Sequence, residues 1–335
     1  MNENTNKSIK APSVNPVGIE KISISGFKSH ANTSIVKINN LTIFSGANSS
    51  GKSSFIQPLL LLKQTLEAPY DPGPLMLSGP ILEYTTTDQI FPISNRSKEM
   101  AGKISIEVGL SDGTGIIIVY CQALHPHKGL VIDQMSVYSK TGKYVFCEAD
   151  DHKSIVSQFK DMEDKFIEQG LNFKIIRNRC FLALALRPLD PKVAKQIEHV
   201  LNIIPFTITP VAAYVEEHVR KLIYLPGLRG NPSRNYPHTP STDTFPGPFQ
   251  NYAASVIARW QAERNLEKLA ALNNDLKTLG LTWKVAANAI DDSHLELKVG
   301  RLHKAARGGS KDFVSIADVG IGVSQVLPVL VALEV

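Results

Sequence analysis

The chain has 335 residues, of which 43% are hydrophobic and 20% are charged, which is typical of a globular protein with a sizeable core. Its longest apolar runs, PLLLL and VLPVLVAL, are far shorter than the roughly 20 residues of a membrane span. With no signal-peptide pattern at the start, we expect a cytoplasmic protein that contacts no membrane. The net charge of +5 is compatible with nucleic acid as a partner but requires none. Cys121, Cys147 and Cys180 are too scattered for a zinc site or a disulfide framework, which predicts free thiols.

The N-terminal part of the chain predicts a tail followed by strands. Residues 1–17 are polar and predict a flexible tail. Residues 22–25 and 34–38 predict two short strands joined by the polar turn GFKSHANT. Further along, KISIEVGL, GIIIVYCQAL, GLVIDQMSVYS and KYVFCEA alternate or are β-branched, and they predict an antiparallel meander. Together these segments make residues 18–150 one structural unit.

The middle of the chain changes character. Residues 151–219 contain HKSIVSQFKDMEDKFIEQG and PKVAKQIEHVLNII, whose helical spacing predicts a mostly helical insertion. KLIYL then predicts a buried strand, followed by a long Pro/Gly/Asn loop of the kind that is usually functional or mobile. Residues 250–279 predict helix, LTWKVAANAI and HLELKVGRL predict a hairpin, and DFVSIADVGIGVSQVLPVLVALEV predicts a strand, a glycine loop and an apolar helix. We expect residues 220–335 to return to the core of the first unit.

The segment FSGANSSGKSS is the most specific motif of the chain. It fits G-x-x-x-x-G-K-[ST] at every fixed position, through Gly46, Ala47, Asn48, Ser49, Ser50, Gly51, Lys52 and Ser53. A predicted apolar strand at residues 41–44 leads into it, and a predicted helix at residues 53–66 follows, with a kink or restart at Pro58. Free N–H groups at a helix start bind phosphate. Lys52 would reach the β- and γ-phosphates and the Ser53 hydroxyl would ligate Mg²⁺, so the motif predicts ATP and Mg²⁺ as cofactors.

This motif also carries a family resemblance. With the preceding ISISGFKSHANTSIVKINNLTIFSG, it resembles the opening of ABC-type ATPases of the RecF, SMC and OLD kind, where an asparagine at the Asn48 position and a second serine, here Ser54, are common. DVGIGVSQVLPVLVAL resembles the signature motif of that family, which begins a helix and touches the γ-phosphate held by the opposite subunit. The signature residues are then Asp318, Gly320, Gly322, Ser324 and Gln325. Gly320 stands where the family usually has serine, which departs from the pattern.

The resemblance implies an α/β fold, a P-loop NTPase of ABC-ATPase type with an antiparallel β subdomain and a helical insertion. YLPGLRGNPSRNYP and FPGPFQNYAASVIARWQ add a similarity to a bacterial group of ABC-type ATPases that are often encoded in anti-phage defence or toxin-like gene neighbourhoods. By position, Gln89 in EYTTTDQIF is the candidate for the glutamine that helps to ligate Mg²⁺ in this family. A plain surface-loop glutamine is an equally good interpretation of Gln89.

One element of the family pattern is absent after the signature helix of this chain. This is an aliphatic strand that ends in Asp-Glu, whose aspartate completes the Mg²⁺ shell and whose glutamate activates the attacking water. We therefore expect a truncated chain or one part of a split protein. Such a chain would bind nucleotide, and hydrolysis would belong to the complete protein.

Two groups of basic residues have competing interpretations. The segment KVGRLHKAARGGSK, residues 298–311, could lie near bound phosphate or a DNA backbone, or it could be a solvated hairpin tip without aromatic residues to stack on bases. Arg229 and Arg234 lie in the Pro/Gly-rich loop, from which they could reach a nucleotide or a partner, or form salt bridges within the loop.

The sequence leaves three functions open. The first is a homodimer that sandwiches ATP between the phosphate loop of one subunit and the signature of the other, and whose closure gates an effector protein or a transaction on DNA. The second is a monomeric P-loop kinase or nucleotide transferase that acts on a small substrate. The third is a nucleotide-dependent scaffold that does not hydrolyse ATP.

Overall fold

The structure is a computed structural model that describes residues 17–92, 102–123, 129–140, 142–158, 171–188, 206–207, 210–239, 243–302 and 312–335. The predicted flexible tail, residues 1–17, lies outside these ranges except for its last residue. Within the ranges, no helix is long and apolar enough to cross a membrane. The three cysteines are free, as predicted, with Cys180 buried and Cys121 and Cys147 partly buried.

A six-stranded antiparallel sheet forms the first part of the fold. Its strands are β1 (Ile19–Ser25), β2 (Ser34–Lys37), β3 (Lys103–Leu110), β4 (Gly115–Gln122), β5 (Leu130–Ser139) and β6 (Gly142–Phe146). They follow the order β2-β1-β3-β4-β5-β6, so β1 pairs with its hairpin partner β2 on one side and with β3 on the other. Alternate side chains such as Ile104, Ile106 and Val108 are buried, as the period of two requires. The two predicted N-terminal strands and the predicted meander are confirmed.

Helix α1 (Lys52–Glu67) shares its core with this sheet. The helix runs without a break through the buried Pro58, so it does not restart there. Its last carbonyls are capped from outside the helix, because the Arg179 guanidinium donates to the carbonyls of Thr65 and Ala68 at 3.0 and 2.7 Å. Long-range contacts therefore hold the end of α1 that lies away from the phosphate loop.

A buried ion pair lies at the same end of α1. The Lys63 ammonium, which is 0% exposed, pairs with the Glu67 carboxylate, which is 7% exposed. Lys63 Nζ also donates to the Arg220 carbonyl at 3.0 Å, and Glu67 Oε2 accepts from the Gly247 N–H at 3.1 Å. Glu67 thus joins α1 to the second part of the fold. Lys63 provides the compensating charge for its carboxylate, since both side chains are buried.

Lys63→Met should therefore destabilise the protein strongly. The substitution leaves the Glu67 carboxylate buried without its cation, and breaking a buried pair in this way costs about 3–5 kcal/mol. Urea denaturation would measure the loss. Lys221→Met is the matched control, because Lys221 and Glu217 have the same i,i+4 spacing but are each 53% exposed, and it should change the free energy of unfolding very little. Equal losses in the two variants would contradict the assignment of a buried pair.

The predicted helical insertion, residues 151–219, is wrong in its centre. The described elements there are α2 (His152–Ser157), β7 (Leu171–Asn178), β8 (Phe181–Pro188), β9 (Phe206–Thr207) and α3 (Pro210–Lys221). β7 and β8 form a hairpin whose two-residue turn places Arg179 at a φ of +52°. The alternation in NFKIIRN explains the strand, because Phe173 and Ile175 are buried with one residue between them. The helical spacing in residues 159–170 and 189–205 lies outside the described residues.

A second, smaller sheet carries the C-terminal part of the chain. Its strands are β10 (Tyr236–Pro237), β11 (Val285–Ala289), β12 (His294–Gly300) and β13 (Phe313–Ser315). Three helices complete this part: α4 (Ala253–Ala262), α5 (Leu266–Thr278) and α6 (Ile321–Glu334). They form a core of their own with the sheet, in which Trp260, Leu276 and Leu327 are at most 1% exposed. The predicted hairpin, the helices after residue 250 and the final strand, loop and helix are confirmed.

Two predicted strands do not form. Residues 41–44 form no strand and pair with none in the described part of the chain, and Leu41 and Ile43 are 76% and 78% exposed. An apolar run needs a neighbouring strand before its backbone can form a ladder. The strand predicted for KLIYL is also wrong, because α3 continues to Lys221 and only Tyr224 forms an isolated bridge, with Pro248.

Candidate functional site

The segment from Gly46 to Ser53 forms a tight loop that enters α1. Gly46 and Gly51 have φ values of +149° and +93°, and Ser49 has a φ of +62°. A Cβ at Gly51 would lie 2.3 Å from the Ser29 hydroxyl oxygen, which is closer than atoms can approach, so this position needs glycine for space as well as for its φ. The loop is exposed from Ser45 to Ser50. The motif thus has glycine at the two positions, 46 and 51, where the backbone conformation favours it.

The start of α1 is suited to hold an anion. Gly51 is the N-cap and supplies no side chain, so no side-chain oxygen caps the first N–H groups of the helix. These groups and the helix dipole attract negative charge. Lys52 Nζ donates to the carbonyls of Gly46 and Ala47 at 2.8 and 2.7 Å, which keeps its ammonium at the loop. Ser53 is exposed in the first turn, where its hydroxyl is open to a metal ion. These residues fit ATP and Mg²⁺ as ligands.

The β1–β2 turn supports this loop through a contact that is not predicted from the sequence. His30 Nε2 lies 3.1 Å from the Gly51 carbonyl oxygen, and His30 Nδ1 lies 2.8 Å from the Ser34 hydroxyl. Because a carbonyl only accepts, Nε2 carries the proton and donates to it, and in the neutral ring Nδ1 accepts from Ser34. The His30 ring also meets the Phe55 ring edge-on at 5.6 Å. His30 therefore fixes the carbonyl from which α1 starts, since Phe55 N–H donates to the same oxygen at 3.0 Å.

His30→Ala should weaken nucleotide binding about tenfold, which corresponds to one hydrogen bond that orients the loop. The change removes the donor to Gly51 but none of the groups predicted to touch phosphate. His30→Gln, whose amide can donate from a similar distance, should recover most of the affinity. Titration with a fluorescent ATP analogue would measure both, and urea denaturation would show whether overall stability moved instead. The exposed His294→Ala is the matched control and should bind as the parent protein does. Loss of affinity in step with stability, without rescue by glutamine, would contradict this role.

Gln89 lies on a neighbouring loop. It ends a short 3₁₀ turn, Thr87–Gln89, where its side chain is exposed and its Oε1 accepts from the Thr85 N–H at 2.9 Å. The same β1–β2 turn supports this loop, because the Lys28 N–H donates to the Ile90 carbonyl at 2.9 Å. Lys28 Nζ lies 4.3 Å from the centre of the Tyr84 ring, and burial lowers the pKa of this ammonium. Gln89 and the phosphate loop thus share one support, but no described hydrogen bond links Gln89 to Ser53.

The predicted signature segment spans the entry to α6. Gly320 is the N-cap of α6 and no side chain caps the helix, while Asp318 ends a 3₁₀ turn just before it. Gly320 and Gly322 have ordinary backbone conformations with room for a Cβ, so the backbone itself does not require glycine at either position. Because neither glycine has a side chain, the start of α6 is left uncovered. Ile321 is 56% exposed at the first turn.

Side chains of the signature segment contact the Pro/Gly-rich loop. Asp318 forms a bidentate ion pair with the Arg234 guanidinium, at 2.5 and 3.1 Å. Gln325 Nε2 donates to the Arg229 carbonyl at 2.7 Å, and the Ser324 hydroxyl donates to the Ile321 carbonyl at 2.8 Å. Of the two interpretations of Arg234, the structure shows the salt bridge. In the basic segment, Lys298 pairs with Glu296 at 3.3 Å, and residues 303–311 lie outside the described ranges.

The two halves of the predicted site are not joined by polar contacts within one copy of the chain. Across the described residues, no hydrogen bond or ion pair joins residues 46–54 to residues 318–325. The described ranges also contain no cluster of three or more His, Cys, Asp or Glu residues that could hold a metal ion. One chain therefore presents an uncapped phosphate loop on α1 and a second uncapped helix start on α6.

This fold and loop define a P-loop nucleotide-binding protein of mixed α/β structure. A family model described as AAA ATPase domain matches residues 18–334, which is nearly the whole chain, so the protein belongs to this family of ATPases. A search of curated proteins found no match to the chain.

Proposed function

We propose that this protein is an ABC-type ATPase domain of the RecF, SMC and OLD kind that works as a homodimer. ATP and Mg²⁺ bind at the phosphate loop of one subunit, through residues 46–54, with Gln89 completing the metal site. The segment from Asp318 to Gln325 of the second subunit closes over the γ-phosphate. Closure gates an effector protein or a transaction on DNA in the cytoplasm, and the resemblance of the sequence to defence ATPases makes phage defence the context.

The observation that carries this proposal is the pair of uncapped helix starts. The loop before α1 and the start of α6 each leave N–H groups without a side-chain cap, yet no described hydrogen bond or ion pair joins them within one chain. Each is suited to an anion, and a phosphate chain between two copies would use both. Ile321 is exposed at the start of α6, which fits a surface that meets a partner copy.

ATP-dependent association tests the proposal. Sedimentation of the purified chain with Mg²⁺ and a non-hydrolysable ATP analogue should show a dimer, while ADP or no nucleotide should leave a monomer. A chain that binds ATP but stays monomeric at every concentration would contradict the sandwich.

A nucleotide-dependent scaffold without hydrolysis is the second candidate. It needs only the phosphate loop before α1, which the described residues contain, and no group that activates water. Phosphate release by the purified chain at the rate of an ordinary ATPase would eliminate the scaffold, whereas closure without release would support it.

A further inference from the structure

The tip of the Pro/Gly-rich loop places a leucine in solvent. Leu228 is 94% exposed, the largest exposed fraction among the large apolar side chains that the structure describes. It belongs to YLPGLRGNPSRNYP, a segment to which the proposed function assigns no role. A single exposed leucine is common at protein surfaces, so its meaning depends on what holds it and on what lies beside it.

The tip that carries Leu228 is held by two hydrogen bonds. Arg229 Nη1 donates to the Pro226 carbonyl at 3.0 Å, which closes a short turn across the tip. The Arg229 carbonyl accepts from the Gln325 amide at 2.7 Å, which ties this turn to α6. A loop that is already held in place loses little conformational freedom when it meets a partner. The backbone at Leu228 is therefore preorganised for a contact.

A second exposed apolar side chain lies close to this tip. Ile321 is the first residue of α6 and is 56% exposed. It precedes Gln325 by four residues, so the two side chains lie on the same face of the helix, one turn apart. Because Gln325 holds the backbone next to Leu228, the loop tip and Ile321 form one surface beside the start of α6.

The helix that follows the phosphate loop has an exposed apolar side chain of its own. Ile56 is 38% exposed and lies four residues after Lys52, so it shares the face of α1 that carries the phosphate-loop lysine. Each half of the proposed nucleotide site thus has exposed apolar surface within about one turn of its uncapped helix start. In a two-fold dimer the same contact between two such halves is made twice.

From these features we propose that the nucleotide sandwich is closed by an apolar contact between copies, in which Leu228 and Ile321 of one copy pack against Ile56 of the second. This inference rests on the proposed function and adds to it the side chains that select the partner. Two helix starts that share a phosphate chain attract each other through the anion alone. An apolar contact requires a matching surface as well, so it favours a second copy of this chain over other proteins.

Sedimentation with Mg²⁺ and a non-hydrolysable ATP analogue tests the contact. Leu228→Ala should raise the dissociation constant of the dimer at least about tenfold, because the dimer no longer buries two leucine side chains. Leu228→Met should restore most of the affinity, since it keeps an apolar side chain of similar volume. Leu266→Ala is the matched control, because Leu266 is 74% exposed at the start of α5 in the same part of the fold, and it should leave the affinity unchanged.

Two further measurements identify the surface that Leu228 meets. Ile56→Ala should weaken the dimer less when residue 228 is already alanine, because the contact between the two side chains is then already lost. A photo-reactive benzoylphenylalanine at position 228, in a mixture of isotope-labelled and unlabelled chains, should form cross-links between copies to residues 46–56 when the ATP analogue is present.

The outcomes separate this contact from the nucleotide sandwich itself. A parent dimer that Leu228→Ala does not weaken would overturn the apolar contact and leave the sandwich in place. Additive effects of the two alanine substitutions, or cross-links between copies to another surface, would do the same. A parent chain that binds the ATP analogue and stays monomeric would overturn both proposals.

Discussion

Lys52→Ala should lower the affinity for ATP by roughly a hundredfold, the largest loss expected from any single change at the phosphate loop. The ammonium is the cation of the loop, and hydrogen bonds from a charged donor to phosphate are among the strongest in proteins. Lys52→Arg should recover only part of this affinity, because a planar guanidinium does not place its charge as the compact ammonium does. Titration with a fluorescent ATP analogue would measure each affinity.

Lys52→Ala should lower the affinity for ATP strongly but the free energy of unfolding only slightly. Lys52 Nζ holds the carbonyls of Gly46 and Ala47, so its loss loosens the loop, but the bonds lie at an exposed site and the free energy of unfolding should fall by about 1 kcal/mol or less. Lys37→Ala is the control, since Lys37 is exposed and pairs only with Glu20 among the charges described. Equal ATP affinity in the parent and in Lys52→Ala would refute the assignment of the phosphate loop.

The phosphate loop could be predicted from the sequence because its chemistry is local. Gly46, Gly51 and Lys52 are needed at fixed spacing by backbone geometry that a few consecutive residues determine. The meander could be predicted for a similar reason, since alternation at Ile104, Ile106 and Val108 follows directly from the geometry of a half-buried strand.

The contact between His30 and the phosphate loop could not be predicted in this way. His30 and Gly51 are separated by 21 positions, and their contact exists only because the β1–β2 turn folds back against the start of α1. The one signal in the sequence is the i,i+4 pair of His30 and Ser34, which many surface turns share. The reason why position 51 needs glycine is equally nonlocal, because the clash involves Ser29.

The errors in secondary structure have a common origin in pairing. Residues 41–44 have the composition of a strand, but no described strand lies beside them to accept their hydrogen bonds. Residues 171–188 became a hairpin because Phe173 and Ile175 could be buried in pairing with β8. Composition alone does not indicate which apolar run will find a neighbour, since that depends on the topology of the whole fold.

Ser324→Arg should abolish ATP-dependent dimerisation while leaving ATP binding intact, with a loss in dimer affinity of roughly a hundredfold or more. Ser324 lies in the first turns of α6, and its small side chain folds back onto the Ile321 carbonyl at 2.8 Å. An arginine there projects a long side chain from the surface that must approach the phosphate of the second copy, so it holds the subunits apart. No described hydrogen bond or ion pair joins the phosphate loop to this helix start, so the affinity of one chain for ATP should stay unchanged.

Asn274→Arg is the matched control for this change. Asn274 is exposed on α5 in the same part of the fold, so it adds the same bulk and charge away from the helix start. Sedimentation with Mg²⁺ and a non-hydrolysable ATP analogue should show a dimer for Asn274→Arg and a monomer for Ser324→Arg, with equal ATP titrations for both. A dimer in both variants would place the contact elsewhere and remove the signature assignment. A monomer in both would show that added positive charge, rather than position, opposes association. Only a difference between the two assigns the start of α6 to the second half of the nucleotide site.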